Sequence, residues 1–292
     1  MAADGSPSPA LEHVEWSSRP RLRHPVLIAA FEGWNDAGNA ATTALEHLEE
    51  HWGTRPFATV DPEDFYDFSS TRPEVTFTDA GTREIVWPEN RFSTAERIDG
   101  EGLDVITLAG VEPQLRWRTF IGELVGMARL LEVRMVLTLG ALLADVPHSR
   151  PVSVFGATYD ERLLDEHDLL PSTYEGPTGI VGVLHAACQE AGIPSASLWA
   201  AVPTYLPNAP SPKAALALVR KAQAMLKVEV PVGELESASR TYERQVDEAV
   251  AGDDETAAYV HRLEETFDEQ AADLGKSGDL IDEVERFLRD QG

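Results

Sequence analysis

Residues 25–52 read PVLIAAFEGWNDAGNAATTALEHLEEHW, and the pattern changes once inside this stretch. Residues 25–31 form an unbroken apolar run of strand length. A strand with no polar alternation has both faces buried, which is the habit of strands inside a parallel sheet. After the turn-forming Glu32-Gly33-Trp34-Asn35-Asp36, the small and apolar residues recur with the helical period at Ala37, Ala40, Ala41, Ala44, Leu45, Leu48 and Trp52. Asn35 or Asp36 stands where a side chain caps the first helical amides. Strand, tight turn and amphipathic helix together make the first half of a crossover unit, so the expected class is α/β.

The same alternation runs on. Short strands are expected over residues 57–60, 104–108, 135–139, 152–155 and 197–202. Helices are expected where Trp117, Phe120, Ile121, Leu124, Val125, Ala128 and Leu131 share a face, after Thr178 as cap, and over residues 213–226. Residues 74–77 and 83–87 flank Thr78-Asp79-Ala80-Gly81-Thr82 and read as a β-hairpin with a longer loop. The reading is a three-layer α/β/α sandwich with a mostly parallel sheet over residues 20–232, after a flexible polar leader at 1–19.

Past Pro231 the style changes. Residues 234–292 hold 18 acidic and 6 basic side chains. Tyr242, Val246 and Val250 are spaced by four, as are Tyr259, Leu263 and Phe267, and Gly252-Asp253-Asp254 separates the two runs. Leu280, Ile281, Val284, Phe287 and Leu288 form a third stripe. Residues 233–292 therefore read as an acidic helical C-terminal subdomain whose narrow apolar stripes need cover.

Composition limits the partners. With 24 basic and 50 acidic residues the 292-residue chain carries a formal charge of −26. That field repels phosphate backbones and anionic lipid, so nucleic acid and membrane surfaces are not expected partners. No apolar run approaches the roughly 20 residues of a membrane-spanning helix. The one cysteine, Cys188, allows no internal disulfide, and residues 1–16 lack the basic and apolar regions of a secretion signal; the expected location is cytoplasmic.

Several longer stretches carry a resemblance: LIAAFEGWNDAG at 27–38, DPEDFYDF at 61–68 with Arg72-Pro73, GVEPQLRWRTF at 110–120 and LGALLADVPHSRPV at 139–152. YEGPTGIVGVL at 174–184, SLWAAVP at 197–203 and SPKAALAL at 211–218 extend it to about residue 225. The chain resembles the proteasome-assembly-chaperone family, of the second-subunit type and in an actinobacterial style. The resemblance implies an α/β/α sandwich like that of nucleoside phosphorylases and hydrolases. It also implies a homo-oligomer, a trimer before a dimer, and a protein partner of proteasome-related kind. Two features depart from the family. The sequence ends Arg289-Asp290-Gln291-Gly292, not in a hydrophobic–tyrosine–any-residue tail, and the acidic helices are an addition to the minimal eukaryotic form.

The candidate site residues are Glu32, Trp34, Asn35, Asp36, Asp145, His148, Tyr174 and Glu175. Gly33 and Gly38 have the spacing of a phosphate-cradling loop, but Asn39 and Ala40 stand where that loop needs lysine and a hydroxyl. His47 and His51 lie four apart but in the wrong order for a zinc protease, and read as a solvated helix edge. No metal and no cofactor are expected. Asp145-Val146-Pro147-His148 reads either as a turn or as an acid–base pair, and Glu175 stands near a helix start. Two functional classes follow. One is a non-enzymatic assembly factor that binds protein. The other is a hydrolase or transferase for a nucleoside-like molecule, which requires Glu32, Asn35, Asp36, His148 and Glu175 to meet at one sheet edge.

Overall fold

The computed structural model describes residues 11–78, 81–100, 102–167, 169–171 and 175–272. In chain order the first elements are β1 (Val14–Trp16), β2 (Val26–Glu32), α1 (Ala40–Trp52), β3 (Arg55–Val60), β4 (Glu74–Phe77), β5 (Arg83–Val86) and β6 (Asn90–Ala95). Next come β7 (Val105–Val111), α2 (Trp117–Leu130), β8 (Met135–Ala144), β9 (Val154–Thr158), α3 (Glu161–His167) and β10 (Leu170–Pro171). The chain then forms α4 (Ile180–Ala191), β11 (Ser195–Pro203), α5 (Pro212–Leu226), α6 (Gly233–Ala251) and α7 (Asp254–Ala272).

Nine strands make one sheet in the order β1-β3-β6-β7-β2-β8-β11-β9-β10. Strand β2 lies at its heart, paired in parallel to β7 along its whole length and to β8 over Val26–Ala29. Its side chains serve both faces. Val26, Ile28 and Ala30 join Ala41, Leu45, Leu218 and Ala222 of α1 and α5. Leu27, Ala29 and Phe31 join Phe120, Leu124, Ile180 and Leu184 of α2 and α4. The three-layer sandwich is thus a direct consequence of an apolar run with nowhere polar to turn.

The expected parallel arrangement holds for the four central strands, β7-β2-β8-β11. The flanks differ: β1, β3, β6 and β7 pair successively antiparallel, and β9 runs antiparallel to β11. Parallel neighbours require a long crossover, which the helix-containing links supply and the short link from β6 to β7 does not.

The expected leader at 1–19 does not extend to its limit. Val14–Trp16 is an edge strand on β3, and Arg19 stacks on the Trp16 ring at 3.5 Å. His13 secures this strand, with Nδ1 at 2.8 Å from Glu123 of α2 and Nε2 at 3.2 Å from Asp64. The Glu123 hydrogen bond, more than Asp64, raises the His13 pKa above its ordinary value.

The hairpin β4–β5 forms where the pattern placed it, but it stands apart from the main sheet as a two-stranded ribbon. Helix α6 lies along α5, tied by Arg220 to Glu236 at 2.6 Å and Lys213 to Glu243 at 2.5 Å. Leu235, Tyr242, Val246, Val260 and Leu263 of α6 and α7 are buried. The third apolar stripe, over residues 280–288, lies outside the described residues.

Candidate functional site

After Ala29 and Thr138 the pairing of β2 with β8 lapses, and the two chains separate. The loop Gly33–Asp36 enters the gap. The Ala141 amide donates to the Asn35 carbonyl at 2.8 Å, and Asp36 makes a parallel bridge with Ala141. This gap lies between β2 and β8 at the C-terminal ends of the parallel strands, the edge where open α/β sheets bind their ligands.

Each carboxylate and amide here has a structural duty. Asp36 caps the helix start: its Oδ1 accepts the Ala41 amide at 2.7 Å and the Thr42 amide at 3.3 Å, and the Thr42 hydroxyl donates to Oδ2. Burial nevertheless raises the Asp36 pKa, against the pull of those bonds. Asn35 is buried and donates from Nδ2 to Glu112 at 3.3 Å. Glu112 in turn accepts the Ile180 amide at 2.7 Å and so caps α4, while burial raises its pKa. Gly179 is required at this contact, because a Cβ there would lie 2.3 Å from Asn35 Nδ2. The expectation that Thr178 caps this helix is corrected: the helix begins at Ile180, and a glutamate 68 residues away supplies the acceptor.

Trp34 is 38% exposed and borders a cleft of about 340 Å³ with Asp36, Asn39, Leu143, Pro207 and Pro210. Gly38, at φ 61°, lets the chain pass close to α5: a Cβ there would sit 3.0 Å from Ser211 Cβ, and its carbonyl accepts the Ser211 amide at 2.8 Å. Glu32 ends β2, and its pKa is raised by burial first, then by Asp36, Glu46 and Glu74. Glu74 roots the β4–β5 hairpin, which therefore stands beside this loop.

Asp145 and His148 follow β8 on the same sheet edge but hold different partners. His148 is buried, with Nε2 donating to Asp247 of α6 at 3.0 Å and Nδ1 taking the Tyr205 hydroxyl at 2.7 Å. Asp145 accepts the hydroxyls of Thr204 and Tyr259 of α7, both at 2.9 Å. Ser149 donates to Glu264, and Arg150 forms a two-pronged pair with Asp268 at 2.8 and 2.7 Å. Lys213 Nζ donates to the carbonyls of His148 and Arg150 at 2.6 and 2.7 Å. The 145–150 segment contains a turn, as one of the two readings had it, and its side chains also clasp the C-terminal helices; Asp145 and His148 hold different partners.

The remaining candidates divide further. Glu175 is exposed in the chain leading to α4, and Tyr174 lies outside the described residues. Glu32, Asn35, Asp36, His148 and Glu175 are thus not joined by any hydrogen bond among the described residues, and three of them serve caps or clasps. The histidine pair on α1 also differs from its reading: His47 is buried and donates to the Pro231 carbonyl at 2.8 Å, because residues after α5 fold over it. His185, which the sequence did not single out, is fully enclosed between Thr138 and Ser195 at 2.8 and 2.9 Å, and burial pushes its pKa down to about 4. No group of three or more metal-ligating side chains occurs among the described residues.

The exposed apolar residues gather on the hairpin. Alternation along β4 and β5 puts Val75, Phe77 and Ile85 on one face, with Trp87 two residues on. They are 44%, 70%, 50% and 47% exposed. Phe68 meets the Trp87 ring edge-on at 4.8 Å and buttresses the base.

Comparison with known proteins places the chain. The PAC2 family model matches residues 30–250. A crystal structure of a PAC2 family protein from Streptomyces avermitilis is 47% identical, covering 81% of this chain and 99% of that one, with a TM-score of 0.76. A proteasome-assembly chaperone homologue from Mycobacterium tuberculosis is 46% identical, covering 80% and 99%, with a TM-score of 0.72. A Mycobacterium tuberculosis protein of unknown function is 28% identical, covering 100% and 99%, with a TM-score of 0.81. No curated protein matches the sequence.

Proposed function

Because this chain belongs to the PAC2 family, we propose that it is a non-enzymatic assembly factor that holds a protein partner at the C-terminal edge of its sheet. The observation that carries the reading is the β4–β5 hairpin, which exposes Val75, Phe77 and Ile85 on one face, with Arg83 among them, and Trp87 at its base. Apolar patches of this kind mark protein contacts, and an isolated two-stranded ribbon is marginal in water without one. Trp34, beside its cleft, extends the surface toward the Glu32–Asp36 loop. Asn35 and Asp36 act behind it by fixing the loop's shape.

The partner is proteasome-related in this reading, supported by the 46%-identical relative described as a proteasome-assembly chaperone homologue. The cytoplasm is the proposed location, in keeping with the single, buried cysteine and the absence of a membrane-spanning helix among the described residues. The chain works as a homo-oligomer, a trimer by family likeness. Leu235, Tyr242, Val246, Val260 and Leu263 of α6 and α7 are buried within one chain, so these stripes do not by themselves call for a second copy.

Binding to purified proteasome α-subunits, measured with the intact chain and with Phe77→Glu, tests the reading. Loss of a central aromatic anchor weakens such contacts by about 2 kcal/mol or more, roughly thirtyfold. Unchanged binding by the variant removes the hairpin from the interface. No binding by the parent chain at micromolar concentration removes the proteasome-related partner. Sedimentation of the parent chain reads the oligomer directly, and a monomer at those concentrations overturns the trimer.

A further inference from the structure

The β4–β5 ribbon has two unlike faces. Val75, Phe77, Arg83, Ile85 and Trp87 alternate onto one, and Glu74, Thr76, Glu84 and Val86 onto the other. Its root adjoins a group of carboxylates at the C-terminal edge of the sheet. Burial raises the Glu32 pKa first, and Asp36, Glu46 and Glu74 raise it further. Burial also leads in raising the Glu46 pKa, followed by Glu49 and Asp36. These side chains therefore stand close enough to repel one another.

The cations of this region do not relieve the repulsion. Arg91 is taken by Glu49 and Glu89, at 3.3 Å each. Arg83 lies opposite Phe77, toward the tip and on the apolar face. Arg72 is exposed ahead of β4. Among the described residues, no cation lies within ion-pair distance of Glu32, Glu46, Glu74 or Glu84. The cleft beside Trp34 has Asp36 in its lining and no cation.

A protein that covers the apolar face meets this acidic border where the ribbon joins the sheet. Apolar surface alone would dehydrate the carboxylates and leave them unpaired, which costs free energy. Lysine or arginine beside the apolar groups satisfies both parts of the surface. The exposed indole of Trp34 favours a cation as well. At longer range, the formal charge of −26 draws a cationic partner in and speeds its encounter. A second copy fits less well, because its residues 74–86 bring three carboxylates and one cation to the contact.

With the hairpin as the contact surface, a premise shared with the reading above, we propose that its partner presents apolar residues bordered by lysine or arginine, the cations facing Glu32, Glu46 and Glu74. Two short peptides test this on the full chain. One has leucine and phenylalanine flanked by lysines, and the other carries glutamate in place of each lysine. The lysine peptide should bind roughly tenfold tighter or more and slow amide exchange across residues 74–87. Glu32→Gln with Glu74→Gln should weaken it roughly fivefold, and high salt should weaken it too. Glu255→Gln with Glu269→Gln removes the same charge from the exposed side of α7 and should change its affinity less than about twofold. Equal losses from the two pairs would mean attraction by the overall field alone and overturn the proposal. So would an unchanged affinity in Glu32→Gln with Glu74→Gln, equal binding of the two peptides, or no binding of the lysine peptide. Protection of residues 74–87 that grows with protein concentration and without peptide would seat a second copy there, and also overturns it. The two readings fail separately. Proteasome α-subunits that do not bind leave the peptide preference standing, whereas peptides that protect the hairpin without regard to charge leave the hairpin as the interface and remove only its choice of cations.

Discussion

The α6–α7 pair and the β4–β5 hairpin are both appendages with one apolar face, and they differ in what lies over that face. Leu235 joins the main core, and Tyr242, Val246, Val260 and Leu263 are buried within the chain. Polar ties from His148, Asp145, Ser149 and Arg150 hold the helices in place. Among its described residues the hairpin makes no polar side-chain tie of this kind to another element, and its Phe77 is 70% exposed. The covered face contributes to folding. The open face contributes little to folding and is free to contribute to binding. Amphipathicity alone therefore says that a surface needs cover, and the location of charged clasps tells which surface has already found it.

The contrast can be broken most directly on the covered side. Leu263→Ala should cost about 2–5 kcal/mol, the range for a buried leucine truncated to alanine. Thermal and denaturant melts measure it; a loss near zero would mean that α7 is not packed as described. His148→Leu removes the side-chain ties to α6, leaving the Tyr205 hydroxyl without its Nδ1 acceptor, although it still accepts the residue-148 amide, and Asp247 without its imidazole donor. The expected cost is about 1–3 kcal/mol, with faster amide exchange concentrated in α6. Uniform exchange across the chain would instead assign His148 a general core role.

A third appendage, β1, sharpens the comparison because its fastening titrates. The folded His13 pKa lies above its ordinary value, chiefly through Glu123. Its contribution is therefore fully present below the unfolded pKa of about 6.5 and lost as pH rises through the folded value. Amide exchange in β1, corrected for intrinsic pH dependence, should rise through that window in the parent chain and not in His13→Gln. The same profile in both would remove His13 as the fastening. The smallest expected stability change belongs to the hairpin: Phe77→Ser should stay within about 0.5 kcal/mol of the parent. A large destabilisation there would show that the hairpin face is covered after all.

Much of the candidate site was readable locally. The Asp36 cap lies five and six residues from the amides it accepts, inside the reach of a capping pattern. The Glu112 cap was not readable, because its acceptor lies 68 residues from Ile180 and capping patterns extend only a few positions. The clasp of the C-terminal helices spans 99 residues from His148 to Asp247 and 114 from Asp145 to Tyr259. An aspartate and a histidine three apart look the same in sequence whether they handle a proton or hold a helix.

From the sequence alone came most strands and helices of the α/β core, though not β6 or α3, together with the acidic field, the hairpin and the family likeness. Each depends on residues that are neighbours in the chain or on a sum over all of them. Tertiary structure decided the antiparallel flanks, the seating of β1, the partners of His148 and Asp145, and the burial of α6 and α7 while the hairpin stayed open. These depend on distant segments competing for the same surface, and that competition is settled by packing and by the pairing of buried polar groups, neither of which has a period in the sequence.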